Sequence, residues 1–207
     1  MKAVFIHIPK NAGTSVTKLL RDSNTNCIIK KHGSASFVMD EIGEPEFKSR
    51  FSFAFVRNPW DRMVSLFYFK KTRWTRKAKN TAQYPNMLKN AAAKFYLEDD
   101  FLGFMQWFLL DLSCDSLSVH NHIPNQEQLA WLTNKDGTDI IVDFVGKVEN
   151  IAEDIEVIRK VLGIKAELSH QNKTVREPEY RKYYDDETAE LIADVFSRDI
   201  EAFGYEF

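Results

Sequence analysis

Ala3-Val4-Phe5-Ile6-His7-Ile8-Pro9-Lys10-Asn11-Ala12-Gly13-Thr14-Ser15 passes from a β-branched and aromatic run into a short loop bracketed by Pro9 and Gly13. Such a run reads as a buried strand. From Thr14 the apolar positions Val16, Leu19 and Leu20 have helical spacing, and Asn26 to Ile29 reads as a second strand. A strand, a tight loop, a helix and a strand in that order are the opening of an α/β fold. The loop has the make-up of an anion cradle: the amides and positive dipole end of a helix N-terminus attract an anion, and Lys10 adds a mobile charge. Gly13 lets the backbone come close, and Thr14 and Ser15 offer hydroxyls. Read alone, the segment also fits an ordinary turn capped by Thr or Ser. The nucleoside triphosphate loop Gly-x-x-x-x-Gly-Lys-Ser/Thr is absent, because Lys10 precedes Gly13.

Phe51-Ser52-Phe53-Ala54-Phe55-Val56 is a third strand, running into Arg57-Asn58-Pro59-Trp60-Asp61. Asn58 suits a helix N-cap and Pro59 the first helical position, with Met63, Val64, Leu66 and Phe67 as the buried side. At offsets of four and three, Asn58, Arg62 and Ser65 share one side of that helix. An Arg57 fork with the Ser65 hydroxyl makes a phosphate receptor. Against this, Arg57 could pair with Asp61, and Ser65 could bond to the preceding turn.

Further along, Phe101 to Leu112 has helical spacing and Ile140-Ile141-Val142-Asp143-Phe144-Val145 reads as a strand ended by Gly146. Asn150 and Glu153 predict a capping box for a helix to Leu162, and a last helix is expected over Asp185 to Phe203. Residues 76–94 read as an insertion or irregular cap. The alternation predicts a mostly parallel central sheet.

The 207 residues fit one domain, and 28 Lys plus Arg against 30 Asp plus Glu leave a net charge of -2, so any anion site is local. Global attraction to nucleic acid or membrane is not expected. Cys27 and Cys114 are too few for a disulfide framework or a cysteine-rich zinc site. The start of the chain lacks the pattern of a signal peptide, and no apolar stretch nears the roughly 20 residues of a bilayer span. The expectation is a cytoplasmic protein without an integral membrane segment, possible attachment at a membrane surface staying open.

Phe5 to Ser15 resembles the 5′-phosphosulfate loop of sulfotransferases that use 3′-phosphoadenosine 5′-phosphosulfate (PAPS), and Phe55 to Ser65 resembles their 3′-phosphate motif. The carbohydrate-type, heparan and chondroitin sulfotransferase-like branch is the nearest match: its members often carry segments like Val142-Asp143-Phe144-Val145-Gly146-Lys147-Val148-Glu149-Asn150 and Tyr183-Tyr184-Asp185-Asp186-Glu187-Thr188, ending like Phe203-Gly204-Tyr205. The resemblance implies a P-loop-like three-layer fold over residues 1–207, with a weakly matching stretch, 76–130, as the place of acceptor recognition. It also implies PAPS as donor substrate without a required metal, and in-line sulfuryl transfer to a hydroxyl or amine of an acceptor, a glycan or glycoconjugate first. Lys10 and the loop Asn11, Ala12, Gly13, Thr14 and Ser15 would fix the 5′-phosphosulfate, and Arg57 with Ser65 the 3′-phosphate. Relatives place a His or Glu base after the second strand, where this chain has His32. His170 precedes a stretch like the late loop that closes over the nucleotide, which carries over Lys173 and Thr174. Membrane-anchored relatives have an N-terminal anchor, so this chain reads as a bare catalytic domain.

Of the other histidines, His7 lies inside a strand and reads as structural, while His120 and His122 lack further ligands with metal-site spacing. Trp60 fits a core position or an adenine stack. The run Lys70, Lys71, Arg73, Arg76, Lys77 and Lys79 fits an acidic acceptor or a solvated helix face. Two competing readings stay open: a nucleotide or polyanion binding protein without transferase activity, and a small-molecule kinase with a modified phosphate loop. The residues carry no statement of oligomeric state.

Overall fold

The computed structural model describes residues 1–31, 33–78, 93–113, 127–169 and 176–207. The chain forms two compact units, Met1–Asn58 with Gln126–Lys173, and Pro59–Asn125 with Thr174–Phe207.

The first unit is built on four parallel strands in the order β2-β1-β3-β4: β1 Ala3–His7, β2 Cys27–Lys31, β3 Phe51–Val56 and β4 Phe144–Lys147. Helices flank this sheet, as the alternating pattern predicts. Helix α1 (Gly13–Asp22) crosses from β1 to β2, while α2 (Ala35–Ile42) and α3 (Glu44–Lys48) lie between β2 and β3. Val16, Leu19 and Leu20 of α1 pack with Ile155 and Ile158 of a later helix, Ile151–Leu162, against Ala3, Phe5, Phe53 and Phe55. That is one face of the sheet, since side chains alternate along a strand. The opposite face, Val4, Ile6, Ala54 and Val56, is buried as well, which is why these strands read as continuous apolar runs.

Register gathers the strand ends. His7 lies opposite Lys31, Ile6 opposite Ala54, and Val56 opposite Lys147, so the four strands finish on one rim. The connections after β1 and β3 lead to opposite sides of the sheet order, and the crevice between two such strand ends is where open α/β sheets hold ligands. At the other edge, Asp143 Oδ2 accepts from Ser52 N at 2.7 Å and Ser52 Oγ at 2.8 Å.

The structure departs from several expectations. The strand near 140 starts four residues late and runs through Gly146: Ile140 bridges Thr133 antiparallel, Ile141 N donates to Leu132 O, and Asp143 is held by Ser52 before the chain joins the sheet. The predicted capping box at Asn150 does not form; its side chain caps nothing, although the helix begins at Ile151. Asp154, in the first turn, instead accepts from Lys147 N at 2.6 Å. Helices α2 and α3 have no counterpart in the sequence reading.

The second unit contains α4 (Pro59–Ala78), α5 (Ala93–Glu98) and α6 (Phe101–Ser113), and the first-unit helix Ile151–Leu162 follows as α7. Pro59 is the first residue of α4, as expected, but the helix reaches Ala78 and α5 begins at Ala93. The ends of the stretch 76–94 are therefore helical, and only 79–92 lies outside the described residues. The last helix is two, α8 (Asp186–Val195) and α9 (Ser197–Phe203), broken at Phe196. Phe67 of α4 is buried among Tyr96, Phe101 and Phe104, with ring centroids 5.4 to 5.5 Å away.

Candidate functional site

The loop after β1 owes its shape to two residues in the left-handed region, Lys10 at φ 72° and Ala12 at φ 56°. Neither is a glycine, so each holds a conformation that a Cβ disfavours and that persists only where the surroundings impose it. Gly13, in contrast, is not left-handed; it is a glycine because the His7 imidazole lies 2.1 Å from where its Cβ would be. The loop's glycine thus answers to close packing from below. His7, whose ring also stacks on Phe5 at 5.7 Å, supports the loop from β1. Ala12 is the N-cap of α1 and offers no side-chain cap. The ordinary Thr- or Ser-capped turn is therefore not what forms, and the first-turn amides stand at an end where the dipole favours an anion. Thr14 is exposed and Ser15 buried.

Asn11, between the two left-handed residues, is 1% exposed. Its Nδ2 donates to Phe55 O at 2.8 Å and to Gln128 Oε1 at 2.6 Å, fastening the loop to the end of β3. Arg57 lies one residue beyond β3, and its Nη1 donates to Lys10 O at 3.1 Å. Asn58 N donates to Glu149 Oε1 at 2.7 Å, so the chain leaving β3 is held to the turn after β4. The structure thus brings Lys10, Asn11, Ala12, Gly13, Thr14, Ser15 and Arg57 to one rim of the first unit. An arginine and a lysine beside an uncapped helix start can receive two anionic groups.

Gln128 belongs to this rim, whereas sequence alone assigns its neighbourhood to acceptor recognition. Its Oε1 also accepts from Arg57 N at 2.9 Å and its Nε2 donates to Arg57 O at 2.8 Å. A lone Gln in a polar stretch carries no local signal; its meaning comes from the tertiary fold.

Ser65 is buried on α4, in the second unit. Trp60 is a core residue there: it is buried and its Nε1 donates to Ala189 O at 2.9 Å. Asp61 pairs with Arg176. In the basic run, Lys71 pairs with Asp99 at 2.6 Å, and burial, followed by the charge of Arg73, holds the Lys70 ammonium below its ordinary pKa. The run is therefore no uniform charged face. His32, His120, His122, His170, Lys173, Thr174 and Lys79 lie outside the described residues. Among the described residues, no group of three or more His, Cys, Asp and Glu could hold a metal ion, and no helix is long and apolar enough to cross a membrane.

A family model described as "Sulfotransferase family" matches residues 1–206. An uncharacterized protein of Archaeoglobus fulgidus is 24% identical over 163 residues, covering 72% of this chain and 97% of its own length. No solved structure matches the chain.

Proposed function

This chain belongs to the sulfotransferase family, and from that we propose that it moves the sulfuryl group of PAPS to a hydroxyl or amine of an acceptor, a carbohydrate first. The observation that carries the reading is the bond from Arg57 Nη1 to Lys10 O at 3.1 Å. It sets an arginine beside the lysine loop, and PAPS carries two anionic groups on one nucleoside. Fit is supported by the loop itself, where the helix start is uncapped and the backbone turns through Lys10 and Ala12.

In this proposal Lys10 and the amides from Ala12 to Ser15 hold the 5′-phosphosulfate. Arg57 holds the 3′-phosphate, with Ser65 assigned to the same group by its motif, and Lys173 and Thr174 to the nucleotide. The acceptor oxygen attacks sulfur in line, the bond from sulfur to the bridging phosphate oxygen breaks, and adenosine 3′,5′-bisphosphate leaves. His32 takes the acceptor proton, a general-base role that histidine serves most often. Charge grows on the leaving phosphate, where Lys10 and the loop amides stabilise it; that electrostatic term and positioning are the protein's main contributions. No metal is required by these steps. Residues 76–130 would select the acceptor within one catalytic domain, with exposed Arg73 and Arg76 available to an acidic glycan.

Thermal unfolding with nucleotides tests the reading. A ligand at about 100 times its Kd adds about 2.7 kcal/mol to the folded state. Adenosine 3′,5′-bisphosphate should therefore raise the midpoint by several degrees at a concentration where adenosine 5′-phosphate does little. Equal shifts would remove the 3′-phosphate site, and a large shift with ATP and magnesium alone would favour the kinase.

A further inference from the structure

We infer that Gln128 is a positioning residue that sets the two phosphate-reading elements, the Lys10 loop and Arg57, in fixed relation to each other. The inference rests on the donor site proposed above. Gln128 is 0% exposed, so each polar atom of its amide needs a partner. Its Nε2 and Oε1 take the C=O and N–H of the same residue, Arg57, at 2.8 and 2.9 Å. This is the pair of bonds a neighbouring strand would make, supplied by a side chain at the point where β3 ends. The second lone pair of Oε1 takes Asn11 Nδ2 at 2.6 Å, and the other hydrogen of that amide goes to Phe55 O at 2.8 Å. One buried side chain therefore holds the loop's Asn11 and the backbone of Arg57 together.

The residue type is dictated by this pattern. Glutamate has no hydrogen for Arg57 O, and methionine leaves Arg57 N, Arg57 O and one hydrogen of Asn11 without their partner. The left-handed residues on either side of Asn11 make the coupling consequential, because a loop in that conformation depends on its fastenings. Without Gln128 the loop keeps its bond to Phe55 O and loses its tie to the backbone of Arg57. With Gln128 lost, Lys10 and Arg57 would each still carry charge but no longer at a set separation. A nucleotide with one phosphate would feel this little; one that must engage both elements would feel it strongly.

Calorimetric titration of adenosine 3′,5′-bisphosphate and adenosine 5′-phosphate tests this with the intact protein, Gln128→Met, Gln128→Glu, Arg57→Ala and Gln128→Met/Arg57→Ala. Gln128→Met should weaken the bisphosphate by about tenfold or more and the monophosphate far less, with Gln128→Glu between. In the Arg57→Ala background, Gln128→Met should cost little further, because the partner it positions is gone. Equal losses for both nucleotides, or the same cost with and without Arg57, would overturn the inference and leave Gln128 a packing residue. Should Gln128→Met fail to fold, the same comparison is made with Gln128→Glu. Hydrogen exchange of the unliganded proteins adds a readout independent of any nucleotide: peptides over 9–14 and 55–58 should exchange faster in the variant while the strand interior of β1 does not. Unchanged exchange would also overturn the inference. If the intact protein fails to distinguish the two nucleotides, the donor reading falls, and exchange alone decides whether Gln128 couples the loops.

Discussion

The His7 imidazole occupies the place of a Cβ on Gly13, with Cδ2 and Nε2 each 2.1 Å from that position. Gly13→Ala must therefore displace the ring or the loop. Overpacking of this kind costs about 1–3 kcal/mol, more than alanine's helix propensity returns at the first position of α1. The variant should unfold at lower denaturant and bind the bisphosphate less tightly. His7→Ala in the same chain should recover much of the lost stability; a double variant no better than Gly13→Ala would show that the clash is not the cause.

Lys10 offers a separation of stability from activity. Relief of its left-handed backbone by Lys10→Gly is worth about 1–2 kcal/mol, against about 0.4–1 kcal/mol for the extra freedom of the unfolded chain. Stability should hold or rise slightly, while sulfuryl transfer falls by about a hundredfold or more. A marked drop in unfolding midpoint would mean that the lysine side chain, rather than the strained turn, dominates the loop's energetics.

For the proposed base, His32→Ala should slow turnover by about 10²–10⁴-fold and leave bisphosphate affinity nearly intact. Undiminished turnover would move the proton transfer to His120, His122 or an acidic side chain.

Asp185 caps α8, accepting from Thr188 N at 2.9 Å and from Thr188 Oγ1. These bonds, the hydroxyl first, hold its carboxyl below its ordinary 3.8. A depressed folded pKa stabilises above the unfolded value and loses that contribution as pH falls through the folded one. Asp185→Asn keeps an acceptor for the amide but does not titrate. Wild type and variant should therefore converge in unfolding temperature as pH falls below the ordinary 3.8 and through the lower folded value; parallel profiles would exclude the carboxylate as an acid-labile cap.

Cys27 should be chemically quiet. Burial pushes its thiol up to about 12, outweighing the Phe5 backbone bond and the Arg50 charge that act the other way. At pH 8, alkylation of the Cys27 peptide, followed by mass spectrometry, should run on the order of a hundredfold slower or more in the native protein than in denaturant. Comparable rates would mean that β2 opens readily.

Elements that declare themselves locally were legible. Phe51 to Val56 is an apolar run stopped by Arg-Asn-Pro, and it forms β3 over those same residues. The passage from β1 through a tight loop into α1 was legible, but not the reason for the loop's glycine, which depends on a ring from the preceding strand. Residues 140–145 misled because Ile140 and Ile141 have strand chemistry and spend it on Thr133 and Leu132. The sheet then takes Phe144 to Lys147, with a glycine and a lysine that no propensity favours. Gln128 was illegible for a related reason: a buried amide is defined by what it meets, and its Arg57 partner is 71 residues away.

That distance has a consequence for how the molecule is made. Ser52 must wait for Asp143, 91 residues later, before its end of the sheet is closed, and β3 has a bare edge until β4 is synthesised and docks. Pairings so far apart form late and slowly, and an unpaired apolar edge is a template for wrong partners in the interval. On the ribosome, the tie between the lysine loop and Arg57 closes only once Gln128 has emerged, although Lys10 is among the first residues to do so.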